Sequence, residues 1–272
     1  MSADPSRAAK AAKHGAPKRA VLLFALAGLL LVQPASAELV QKDGVRVALS
    51  GTLSPTKLPR HGTAPIKVQI GGHISSTTKG SPPQLKEVSF AFNKAGKLDL
   101  GGLPKCRLGH IDPSTTQEAM LACGPSLVGE GHFSANVRFP EQSPFPSEGK
   151  VLAFNGVLNA KAVIFAHIYG TKPVPTSYVL PLEIEHAKGT FSTVMHASLP
   201  QATGEWGYVT GLNLKLGRTY SSHGKQRSFL SAGCPAPKGF PGALFPLVRS
   251  SFAFAEGKTL TATLNRSCKA KG

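Results

Sequence analysis

Phe133-Ser134-Ala135-Asn136-Val137-Arg138-Phe139 alternates apolar and polar side chains at every step, and its reading decides the fold class. A period of two sends one set of side chains to each face of a β-strand, so this segment is a strand with one buried face. The same alternation recurs upstream at 45–49, 66–70 and 88–92. It returns downstream at 163–169, 178–184, 209–216, 252–254 and 260–264. Gly (29) and Pro (22) fall between these segments and supply the turns. Many short alternating strands divided by such turns predict an all-β chain of antiparallel β-sandwich type, immunoglobulin-like or jelly-roll-like. Pro181, inside Val179-Leu180-Pro181-Leu182, lacks the amide proton a central ladder needs and predicts an edge or a bulge there.

One segment reads as a helix, over 113–122. Asp112 is placed as its N-cap and Pro113 as a first-turn residue, with Gln117 and Glu118 nearby to complete a capping box. Gly124-Pro125 stops it. The length suits one large or two small domains. A faint internal similarity sets 85–92, Cys106 and 133–139 beside 208–216, Cys234 and 251–255. Two related domains, 38–170 and 171–272, are therefore expected, divided at Gly170-Thr171-Lys172-Pro173-Val174-Pro175.

The N-terminus carries the clearest targeting signal. Arg7, Lys10, Lys13, Lys18 and Arg19 precede an apolar run over 21–32, and Ala35-Ser36-Ala37 offers a small-x-small cleavage site. Together they predict a signal peptide over 1–37, with cleavage before Glu38. The apolar run of about 12 residues is shorter than the roughly 20 a membrane-crossing helix needs. No later run is long enough to span, so the chain is expected to be secreted or associated with the cell envelope. All four cysteines follow the cleavage site. In an oxidising compartment they predict two disulfides, and the pairing Cys106–Cys123 with Cys234–Cys268 closes two local loops. The first loop also brackets the helix.

The whole chain is basic, with 31 Lys and Arg against 14 Asp and Glu. Without residues 1–37 the ratio is 26 to 13. Such a surplus attracts anionic envelope polymer or lipid headgroups. The cations are dispersed and not interleaved with aromatics, which argues against specific nucleic-acid binding.

Catalytic signatures are weak. Gly124-Pro125-Ser126-Leu127-Val128 lacks the second glycine of a nucleophile elbow. Glu183 and Glu185 point to one face of a strand about 7 Å apart, a spacing within the inverting glycosidase range, although a solvated strand face is much the commoner reason for such a pair. His132, His167, His186 and His196 fall in or beside predicted strands, but no HExxH, H-x-H or C-x-x-C spacing gathers them. No cofactor or metal is expected. Trp206, Tyr208, Phe240, Leu244 and Phe245 are a candidate binding surface, although the apolar character of Phe240, Leu244 and Phe245 favours a plug beneath the sheet and Trp206 and Tyr208 fit core or rim packing.

Ser143-Pro144-Phe145-Pro146, 152–156, His167-Ile168-Tyr169-Gly170 and Ser231-Ala232-Gly233-Cys234-Pro235 resemble segments of a group of secreted proteins from high-GC bacteria. The resemblance spans most of the chain after the signal and implies an envelope or extracellular setting, with no activity attached. The expectation is a non-enzymatic binding or structural protein of the envelope that meets anionic surfaces through basic faces. The alternatives are a secreted hydrolase of envelope glycan or ester bonds and a self-assembling surface subunit.

Overall fold

The computed structural model describes residues 37–199 and 207–271. The segment 1–37, expected as a signal peptide, lies outside them apart from Ala37. Eighteen strands follow in order: β1 (Glu38–Lys42), β2 (Val45–Ser54), β3 (Lys57–Pro59), β4 (Ala64–Pro65), β5 (Lys67–Ser76), β6 (Leu85–Asn93) and β7 (Gly96–Leu98) come first. The helix α1 (Thr116–Cys123) separates these from β8 (Leu127–Val137), β9 (Phe145–Leu158), β10 (Lys161–Gly170), β11 (Thr176–His186) and β12 (Phe191–Ser198). Then come β13 (Gly207–Leu216), β14 (Thr219–Ser222), β15 (Lys225–Ser228), β16 (Leu230–Ala232), β17 (Gly242–Phe254) and β18 (Thr259–Lys271).

Thirteen strands make one sheet in the order β1-β2-β5-β13-β8-β9-β10-β11-β12-β6-β17-β18-β3. All its neighbours are antiparallel except β18 and β3. The expected succession of two sandwiches, 38–170 and 171–272, meets a different arrangement. β13 lies between β5 and β8, and β6 lies between β12 and β17, so strands from both segments interleave. The proposed division falls in the β10–β11 hairpin, whose strands pair from Val163↔Glu183 to Gly170↔Thr176. Alternation identifies strands, but long-range partners decide how they group.

The sheet curls until β18 meets β1 and β2. Glu38 Oε1 accepts from the Asn265 amide at 2.8 Å and from Arg266 Nη1 at 3.1 Å, while Arg266 Nε donates to Gly51 O at 2.6 Å. Side chains thus close the seam where no backbone ladder runs. Gly51 is required for this approach, because a Cβ there would stand 2.6 Å from Leu264 Cδ2. Inside, Val45, Val47 and Leu49 of β2 join Val248, Leu260 and Leu264 in one core. The outer face of β5 and β13 carries Lys67, His73, Asn213 and Lys215. Apolar inside and polar outside is the reverse of a membrane-spanning barrel. No helix among the described residues is long and apolar enough to cross a membrane.

Two disulfides secure the two additions to this wall. Both have the expected pairing, Cys106–Cys123 and Cys234–Cys268, with Cα atoms 5.4 and 5.7 Å apart. The first clips the α1 excursion onto the outside of β9 and β10. There Ile111, Ala119, Phe154 and Phe165 are fully buried. The buried Asn155 amide donates to Pro104 O at 2.9 Å and holds the excursion's entry. Being covered outside as well as inside, β9 and β10 are buried continuously over 151–156 and 163–167. The helix begins three residues later than the sequence reading placed it. Its N-cap is Thr115, which forms a capping box with Glu118; Asp112 lies outside. The second disulfide ties Cys234, two residues beyond β16 of the three-stranded β4-β16-β7 sheet, to β18.

Candidate functional site

The curled sheet encloses two apolar cavities stacked along its length. The lower, of about 80 Å³, is walled by Ile66, Val68, Phe229, Leu230, Phe245 and Leu247, with β7 and β16 closing that end. The upper, of about 180 Å³, lies among Val47, Leu49, Phe90, Val151, Leu180 and Phe252. Ala166, Met195, Phe92 and Leu182 line both, so the two are separated only by side-chain thickness. Among the described residues no titratable side chain lines the upper cavity. Ser250, on the inward face of β17, is fully buried but lines neither.

At the opposite end from β16 a mouth of about 530 Å³ opens, sharing Leu85, Phe133, Ile168, Leu180, Leu199 and Val209 with the upper cavity. Its origin is legible in the ladder. β11 pairs β12 only from Glu183↔His196 to His186↔Thr193. Continuing that register would set Ser198 against Pro181, which has no N–H to offer. The ladder stops short of that position, while β12 continues beside β6 to Ser198↔Glu87. Pro181 therefore sits in an internal strand, where its sequence predicted an edge or a bulge. Locally it has the same effect, leaving the first half of β11 unpaired on that side. Tyr178 and Leu180 line the resulting mouth. Across it, Ser147 Oγ donates to Lys172 O at 2.7 Å and fixes the β10–β11 tip. Gly149 leaves room for Phe133, since a Cβ would stand 2.6 Å from its ring. Lys172 is the one charged side chain among the described mouth residues.

The other sequence candidates scatter. Tyr208 lines the mouth, and Trp206 lies outside the described residues. Phe245 is buried in the lower cavity wall, whereas Phe240 and Leu244 are 60% and 75% exposed near that closed end. Arg60 holds this loop by donating to Ala236 O and Phe240 O, each at 2.7 Å. The four described residues among them therefore form no single surface.

Two constellations bear on catalysis. His167 is fully buried beneath the α1 excursion, its Nε2 3.0 Å from Ser114 O and 3.2 Å from Ser114 Oγ. Burial pushes its imidazole below the ordinary value, against the Ser114 carbonyl bond and the nearby Asp112 charge. Ser114 Oγ spends its proton on Ile111 O at 2.8 Å. A hydroxyl committed to a carbonyl, beside an imidazole sealed from solvent, is a structural pair and lacks the arrangement of a nucleophile and its base.

Glu183, Glu185 and His196 meet on the outer face of β11 and β12, each offering an atom within 4.8 Å of the others. This is tighter than the strand spacing of about 7 Å anticipated for the two carboxylates. Lys161 Nζ binds Glu183 Oε2 at 2.8 Å and holds that carboxyl below its ordinary range. A glycosidase acid needs its carboxyl raised, the opposite direction. His132 lies on β8 and does not join this group.

No family model and no curated protein matches the chain. Among solved structures it is similar to one described as "AvmM Catalyzes Macrocyclization in Alchivemycin A Biosynthesis". The identity is 8% and the TM-score 0.23, over 86% of this chain and 96% of that chain. At that level the likeness carries no argument for fold or function.

Proposed function

We propose that this is an exported, non-enzymatic binding protein that holds an apolar molecule inside its curled sheet. The carrying observation is the stacked apolar interior, closed at one end and open through the Pro181 slit at the other. Pockets that take small ligands are concave, mainly apolar and furnished with a few polar groups at defined places, and this one fits that description. An upper cavity wall that is apolar throughout its described residues favours binding over chemistry. The two disulfides and the signal-like N-terminus support an oxidising, extracytoplasmic setting. The test is titration of the purified, oxidised protein with a neutral polarity-sensitive dye. Saturable fluorescence enhancement, reversed by apolar competitors, is expected. A dye response no greater than that of a β protein without a cavity would overturn the reading.

A second reading has its own observation. A groove of about 560 Å³ on the outer wall carries Lys67, Lys215 and Arg218 against Glu130. Arg218 is fixed there by Pro125 O and Leu127 O at 2.6 and 2.7 Å. Contact with anionic envelope polymer or lipid headgroups would use this face. Co-sedimentation with envelope fractions at low and high salt tests it, and binding indifferent to salt would refute it.

A further inference from the structure

The interior has a depth, a width and a polar end, and together these select a ligand class. Val209 lines the mouth and Leu216 lines the lower cavity, both on β13. Seven steps at about 3.3 Å give roughly 23 Å of strand. At the tilt of about 40° common in curled sheets, this is roughly 17 Å along the axis. One leaflet of acyl chains occupies a similar depth, about half of a 30 Å hydrocarbon core. The bore is narrow, because cavities of about 180 and 80 Å³ in series leave no space for two chains abreast.

Head-group placement follows from polarity. A charged or hydrogen-bonding group drawn into the upper cavity would lose its water with no partner in the wall, at a cost of several kcal/mol. The head must therefore stay at the mouth. Polar side chains there are Ser147, Lys172, Thr176, Tyr178, Tyr208 and Gln84, and no carboxylate lines it among the described residues. Lys172, the one charged side chain among the described rim residues, complements a single negative charge. Lys172 is exposed, so its ammonium can meet a head group without first being desolvated.

We infer that the lumen takes the single unbranched chain of a long-chain carboxylate, tail inward, with its carboxylate at the mouth beside Lys172. This rests on the reading of the lumen as the binding site. The experiment compares palmitate with hexadecanol by displacement of the neutral dye, using the oxidised protein and its Lys172→Ala variant. Palmitate is expected to bind more tightly than hexadecanol. Lys172→Ala should weaken palmitate about five- to tenfold, as loss of one charge-assisted contact at a wet rim does, and leave hexadecanol within twofold. Added salt should weaken palmitate with Lys172 present and have little effect without it. Equal binding of both compounds, unaltered by Lys172→Ala, would overturn the carboxylate assignment while leaving the lumen reading intact. Dye displacement by neither compound would overturn the acyl-chain assignment. Failure of the dye itself to bind would remove the lumen reading with it.

Discussion

Replacing Ala166 by leucine should stabilise the protein and close its lumen in the same step. Ala166 is 8% exposed and lines both the 180 Å³ and the 80 Å³ cavities, so added carbons enter space already there. Leucine brings three more carbons, worth about 0.8 kcal/mol each when buried, or roughly 2.4 kcal/mol in total. Freezing the leucine side chain costs about 0.5–1 kcal/mol, leaving a net gain of about 1.5–2 kcal/mol. For a protein of this size that raises Tm by about 3–8 °C. Binding of the dye and of palmitate should fall at least tenfold, because the chain's path past Ala166 is obstructed. Thermal denaturation and dye titration on one preparation check both signs together. The pairing matters: a variant that merely misfolds loses binding and stability at once. Destabilisation by about 1–3 kcal/mol would mean an overpacked wall and no usable space beside Ala166. Stabilisation with binding intact would show that the ligand, if any, lies elsewhere.

Three further perturbations test the parts that shape this site. His167 is held below its ordinary imidazole value, so below about pH 6.5 the unfolded chain takes up a proton that the folded site refuses. Stability should therefore fall with falling pH from about 6.5 until the folded site protonates, with this residue adding at most about 1.4 kcal/mol per pH unit. Denaturant melts of His167→Gln across that range should show a shallower slope, and an unchanged slope would refute the assignment. Replacing Cys106 and Cys123 together by alanine opens a loop of separation 17 and should cost about 3 kcal/mol by the chain-entropy argument. It should also make the α1 excursion protease-sensitive, whereas a loss under 1 kcal/mol would show that packing alone holds the cap. Pro181→Val restores an amide where the β11–β12 ladder stops, gaining up to about 1 kcal/mol from one added hydrogen bond. Stopped-flow dye exchange should slow as the slit narrows, and exchange at the original rate would place the entrance elsewhere.

The strand content was legible because alternation is a local property. 45–49, 66–70, 88–92 and 133–139 all fall in or overlap observed strands. Which strands neighbour each other was not legible, since β5 meets β13 and β6 meets β17 across most of the chain's length. The run at 163–167 held a further clue. Val163, Ile164, Phe165 and Ala166 are apolar without a break, the mark of a strand buried on both faces. A cover for that wall follows from it, and the disulfide-bracketed excursion is that cover. The helix start was also written in the chain, as Thr115-Thr116-Gln117-Glu118 has the capping-box spacing that Asp112 lacks. The mouth was legible only as Pro181, whose missing donor was noticed but whose neighbour was unknown. The cavities themselves leave no trace in sequence. An inward Leu that packs against another Leu and one that faces a void occupy the same kind of alternating position.

The placement of the two disulfides explains why one end of the sheet is the entrance. Cys234 lies two residues after β16 and is bonded to Cys268 on β18, so the small sheet that floors the lower cavity is covalently tied to the wall. The Cys234 amide also donates to Pro59 O at 2.9 Å, adding a second tie. Cys106–Cys123 braces β9 and β10 from outside along the stretch where their inner face borders both cavities. Neither bond reaches the first half of β11, where the ladder to β12 is interrupted. Covalent reinforcement is thus confined to the closed end and one flank, away from the interrupted ladder beside Pro181. The surplus of Lys and Arg completes the argument. On the proposed reading, a basic protein attracts anionic amphiphiles over distances of about 8–10 Å, and a carboxylate so attracted would meet Lys172 at the rim of the open end.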